Sequence, residues 1–152
     1  METIVEPGLL SSQDYRRPGR TMSLVAGSTF SVPRPDWLDG VASRCQELTE
    51  LGPNWDTYGA SRVSSITARA GITLLGGVAP SALPAPRVVP TAQGGVQFEW
   101  QVGSRELEIA FDTPTQVSVF FVDESTGEEI EKELTNDLRP LSDLFRKLDP
   151  RP

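Results

Sequence analysis

The 152-residue chain is 38% apolar and 23% charged, carries a net charge of −7, and contains no histidine and a single cysteine. That length supports one domain with a real core, and no apolar run approaches the roughly 20 residues of a membrane span. The missing histidine excludes His-based acid–base chemistry, His metal ligands and His-activated nucleophiles, and the lone Cys45 excludes an internal disulfide and a cysteine-built zinc site.

Residues 1–33 show no sustained period and hold Pro7, Gly8, Pro18, Gly19 and Pro33. They read as an extended or flexible arm, in which "MSLVAGSTFSV" could add a short strand to a sheet edge. The opening "METIVEPGLLSSQDYRRPGR" lacks a basic start followed by an apolar stretch, so no signal peptide is expected and a cytoplasmic protein is. A single α+β domain is predicted over 34–148, with a tail at 149–152.

Its first helix is predicted within "PRPDWLDGVASRCQELTELG" (33–52), where Trp37, Leu38, Val41, Cys45, Leu48 and Leu51 make one apolar stripe. Pro35 suits the first turn, and Gly52-Pro53 is a stop signal. Cys45 falls on the stripe and reads as a small buried hydrophobe.

"LGPNWDTYGAS" (51–61) then gathers Trp55, Asp56 and Tyr58, the possible rim of a pocket. A type I turn over Asp56–Gly59, with Asp56 in an Asx turn, gives the loop a structural role instead. In that case Trp55 and Tyr58 pack beneath the helix pair.

"SSITARAGITLLGGV" (64–78) is a second predicted helix, capped by Ser64 or Ser65 and ended by Gly76-Gly77. Its apolar set is Ile66, Ala70, Ile72, Leu74 and Leu75. "APSALPAPRVVP" (79–90) has four prolines and reads as a stiff extended connection.

The period then changes. "GVQFEWQV" (95–102), "RELEIAF" (105–111), "QVSVFFV" (116–122) and "EEIEKEL" (128–134) alternate as strands do. They predict a four-stranded antiparallel meander, followed by a C-terminal helix over 137–148 packed on one sheet face. Turns at Gly103-Ser104, "TPT" and "ESTG" set the register. Phe98 should face Ile109, Ile109 should face Val119, and Phe121 should face Ile130.

The same register fixes the other face. It shows Gln97, Glu99 and Gln101, then Glu106 and Glu108, then Ser118, Phe120 and Val122, then Glu129, Glu131 and Glu133. Glu99 lands opposite Glu108, and like charges so paired destabilise a sheet. Residues 96–137 hold −9 of the charge, which disfavours direct nucleic-acid binding and favours a basic partner. Three readings stay open here: a solvated face whose Phe120 and Val122 are covered by the arm, a partner interface, and a metal or catalytic carboxylate pair at Glu99 and Glu108.

Asn54-Trp55-Asp56-Thr57-Tyr58-Gly59-Ala60, Pro90 with Gly94-Gly95 and Glu99-Trp100, and Leu107-Glu108-Ile109 together carry a resemblance. The region from about 48 to 112 resembles an uncharacterised family of small bacterial proteins with the pattern G-W-D-x-Y-G-A, P-x-x-x-G-G-x-x-x-E-W and L-E-I. Asn54 departs from the family's usual Gly, and the match spans under half the chain. The resemblance implies a small α+β domain, no known activity, and, since such families often sit in mobile or defence-linked gene clusters, a protein partner.

The expectation is a small acidic, non-enzymatic interaction protein with no cofactor, no metal and no membrane. It would be antitoxin-like or an accessory subunit, binding a larger protein with a basic surface. The alternatives are a phage-type inhibitor or nucleic-acid mimic, and a small-ligand-binding protein or carboxylate-dependent enzyme. Glu99, Glu106, Glu108, Phe120, Val122, Glu129 and Glu131 are the candidate partner-binding residues, and a homodimer through a sheet edge is a further expectation.

Overall fold

Two-residue turn chemistry at Gly103-Ser104, flanked by alternating apolar residues, folds the chain into a hairpin, with Gly103 at φ +62°. In the computed structural model, which describes residues 34–135 and 137–150 and the backbone of 22–23 and 29–30, this hairpin belongs to a five-stranded antiparallel sheet. The chain divides into two units, Met1–Arg34 and Pro35–Pro152. In the first, β1 (Met22–Ser23) and β2 (Thr29–Phe30) pair with each other as a two-stranded sheet of their own. The rest of the expected arm, and residues 151–152 of the expected tail, lie outside the described residues.

The second unit is α+β, with three helices and the five-stranded sheet. Helix α1 (Leu38–Thr49) buries Leu38, Val41, Cys45 and Leu48 at 3–4 spacing. Pro35 stays outside it and accepts from the Leu38 amide (3.1 Å).

Helix α2 (Ser65–Val78) starts at Ser64, whose side chain accepts from the Thr67 amide at 3.2 Å. It departs from expectation in two ways. It runs through Gly76-Gly77, and the stop is Pro80, which forces Ala79 into extended backbone (ψ 132°). It also buries Thr67, Ala68, Gly71 and Leu75, whereas Ile66 is 65% exposed. The cause is the Phe98 ring: a Cβ on Gly71 would lie 2.8 Å from Phe98 Cε2. The small-residue face lets that ring reach the helix backbone; of the predicted apolar set Leu75 is buried, Ile72 and Leu74 pack partly buried against the core, and Ile66 turns away.

The proline-rich connection ends in a strand. Arg87–Pro90 forms β3, pairing with β4 (Val96–Val102), so the sheet has five strands and not four. Pro90 is tolerated because β3 is an edge strand. Two indoles fasten the connection: Trp37 Nε1 donates to the Leu83 carbonyl (2.8 Å) and Trp100 Nε1 to that of Pro84 (3.0 Å).

β5 (Arg105–Thr113), β6 (Gln116–Asp123) and β7 (Glu128–Leu134) complete the order β3-β4-β5-β6-β7. The registers are the predicted ones: Phe98 faces Ile109, Ile109 faces Val119, and Phe121 faces Ile130. Each strand therefore points Val96, Phe98, Trp100, Leu107, Ile109, Phe111, Val117, Val119 and Phe121 into the core. Helix α3 (Pro140–Leu148) opens on a proline at its first turn, three residues later than predicted, because an interior proline would break the helical hydrogen bonding. Its Phe145 ring meets Trp100 edge-on at 5.4 Å.

Candidate functional site on the outer sheet face

With one face of the sheet in the core, strand parity puts a defined set of side chains on the other. One row across the strands reads Arg87, Glu99, Glu108, Phe120, Glu131. The next reads Gln101, Glu106, Val122, Glu129. Phe120 and Val122 are half-buried. They form an apolar ridge, with Glu106 and Glu108 along one side and Glu129 and Glu131 along the other. All seven predicted partner-binding residues lie on this one face.

The first row has a member the sequence reading missed. Arg87 grips Glu99 through both Nε (3.0 Å) and Nη2 (2.7 Å), and Gln97 Nε2 donates to the other carboxylate oxygen at 2.6 Å. Arg87 sat in a segment read as connection, so its pairing could not be foreseen. Glu99 is thereby paired and held, while Glu108, directly opposite, makes no ion pair among the described residues. Burial, then the charge of Glu99, then that of Glu106 raise the Glu108 carboxyl above the usual carboxylate range, against the pull of Arg87. A concavity of about 520 Å³ opens at this end of the face, lined by Arg87, Glu99, Trp100, Gln101, Glu106 and Glu108.

Glu129, Glu131 and Glu133 are exposed, and among the described residues no hydrogen bond or ion pair engages their carboxylates. Glu128 differs: it takes Lys147 of α3 at 2.8 Å. No group of His, Cys, Asp or Glu among the described residues has the arrangement to hold a metal ion.

The loop at 51–61 is built differently from the predicted corner. Thr57 has φ +65°, incompatible with a type I turn, and Asn54 has φ +61°. The Asx turn is present: Asp56 Oδ1 accepts from the Tyr58 amide (2.8 Å) and from that of Ala60 (3.0 Å). Asn54 Oδ1 accepts from the Gly59 amide at 2.6 Å, so two side chains hold the unusual backbone. Tyr58 is 90% exposed and does not pack under the helices. The Trp55 indole donates to the Ser61 carbonyl at 3.0 Å and is half-buried. Trp55, Asp56 and Tyr58 do not line the concavity at Arg87, Glu99 and Glu108.

Cys45 is buried, which pushes its thiol up to about 11 and removes it as a nucleophile. Asp123, which the sequence reading passed over as a strand end, is a buried carboxylate that organises the β6–β7 turn. It accepts from Ser125 Oγ (2.7 Å), Ser104 Oγ (2.8 Å), the Ser125 amide (2.9 Å) and Arg105 Nε (3.1 Å). Hydrogen bonds from Ser125 and Ser104, then the charge of Arg105, hold it down at about 2.

A larger apolar cavity of about 610 Å³ lies beside α2, lined by Ile66, Arg69, Leu74, Phe111, Val117 and Leu138 among others. No helix among the described residues is long and apolar enough to cross a membrane. Comparison of the chain with protein-family models, with curated proteins and with solved structures returned no match.

Proposed function

We propose that the protein is a small, acidic, non-enzymatic interaction protein that acts in the cytoplasm and docks a larger protein partner on its outer sheet face. One observation carries the reading: the apolar ridge of Phe120 and Val122 runs between Glu106 and Glu108 on one side and Glu129 and Glu131 on the other. An apolar centre with a charged rim is the anatomy of a protein interface, and the rim's sign selects a basic surface. Against a carboxylate-dependent enzyme, Glu99 is already engaged by Arg87 and Gln97 and is not free to act on a substrate. Families of the kind the chain resembles often sit in mobile or defence-linked gene clusters, which supports the antitoxin-like or accessory form of this role.

The test uses the wild-type chain and Phe120→Ala as baits in the native host, followed by titration of the captured protein after purification. A partner with a basic surface is expected, with affinity for Phe120→Ala down at least about tenfold, the loss typical of an aromatic anchor. Much of the wild-type affinity should persist in high salt. Unchanged affinity for Phe120→Ala would remove the reading. Binding that collapses in salt while ignoring Phe120 would support a nucleic-acid mimic instead.

A further inference from the structure

The two edges of the sheet are unlike. β3 is four residues long, ends at Pro90, and has its Val88 carbonyl occupied by Arg44 Nε of α1 (3.4 Å). A short strand, a proline and a covering helix all close an edge to further pairing. β7 has none of these. It runs seven residues without proline and keeps unbroken register with β6 at every one. Among the described residues nothing pairs with its other side, so alternate backbone N–H and C=O groups point outward unpaired. What guards this edge is charge: Glu129, Glu131 and Glu133 on the outer face, with Lys132 on the opposite one.

That charge discriminates between occupants. A second copy pairing antiparallel about a two-fold axis would keep each sheet face continuous, so odd-numbered residues would meet odd-numbered ones. Centred on Glu131, such a dimer sets Glu131 against Glu131 and Glu129 against Glu133. Sliding by two residues leaves glutamate facing glutamate, and directly opposed like charges are destabilising. The pattern thus opposes the homodimer expected from an open edge. A strand with Lys or Arg at alternate positions converts each of these repulsions into an attraction.

We propose that β7 takes an extended segment of the basic partner as a sixth strand, its Lys or Arg residues lying across from Glu129, Glu131 and Glu133. This rests on the outer face being the partner surface, and it names the segment that binds there. The new strand would extend the row Glu108–Phe120–Glu131 by one cation. Main-chain bonds would supply affinity and the alternating charges specificity.

The probe is the synthetic peptide Lys-Val-Lys-Thr-Lys-Val-Lys. It is compared with a copy N-methylated at alternate residues and with the scramble Lys-Lys-Lys-Lys-Thr-Val-Val. Each is titrated into the full chain, with amide hydrogen exchange read residue by residue. The alternating peptide is expected to bind and to slow exchange along β7. Its affinity should fall by about tenfold or more on N-methylation, on scrambling, and in Glu129→Gln/Glu131→Gln, whose fold is checked by circular dichroism. Equal binding of the N-methylated or scrambled peptide would overturn the sixth strand and leave the outer-face reading standing. So would protection at β3 instead of β7, or a self-associated chain protected at β7. Loss of the outer-face reading shows separately, as a partner indifferent to Phe120→Ala.

Discussion

Glu108 pays the electrostatic cost of the outer face, because its neighbour Glu99 owns the one arginine in the row. Replacing Glu108 by Gln is expected to raise stability at neutral pH by about 0.2–1 kcal/mol. Since the folded chain holds this carboxyl above its ordinary range, the gain should vanish as pH falls through that raised value and the native group becomes neutral. Glu99→Gln should gain less, because it loosens Arg87 as well as relieving Glu108. Urea unfolding of both variants at neutral and acid pH measures the difference, and equal gains would contradict the arrangement. Asp123 behaves in the opposite sense. Its carboxyl is held at about 2 against an ordinary 3.8, so its stabilising contribution is complete above about pH 4 and is lost on acidification toward 2. Asp123→Asn should therefore lower the urea midpoint at neutral pH and flatten the acid limb of the stability profile.

At the scale of elements, the strands were the most legible part of the sequence and α2 the least. Period-two alternation and a two-residue turn leave one register that puts most apolar side chains on one face, so Phe98, Ile109 and Val119 align by arithmetic alone. That also made the acidic face readable, since it is the other parity. A helix that packs through small residues gives no such signal. Ala68 and Gly71 look featureless beside Ile66 and Leu74, and the reading followed the larger residues. β3 hid inside a run of prolines, and its concealment hid Arg87 with it. The glycines turn this into a graded prediction. A Cβ on Gly95 would lie 1.8 Å from the Phe111 carbonyl oxygen, between two backbones that cannot part, whereas one on Gly71 would press the edge of a ring, and one on Gly77 would meet nothing within 4 Å. Gly95→Ala should cost upwards of about 3 kcal/mol and Gly71→Ala about 1–3. Gly77→Ala should stabilise by roughly 0.5–1 kcal/mol through helix propensity. Chemical denaturation of the three variants checks the order.

For the molecule as a whole, charge and apolar surface are separated by the sheet. One face meets three helices and holds the core; the other carries glutamates around a narrow ridge. What the sequence concealed at this scale was that the proline-rich connection belongs to the fold, because its fastening comes from indoles distant along the chain. Trp37 and Trp100 donate to its successive carbonyls at Leu83 and Pro84, and their rings stand 6.3 Å apart at 67°. Two indoles so close and so inclined couple their electronic transitions. The folded chain should therefore carry a paired signal in circular dichroism that belongs to neither ring alone. Releasing the Leu83 and Pro84 carbonyls from the two indole N–H groups should change that signal, which makes the protein its own optical gauge of the attachment.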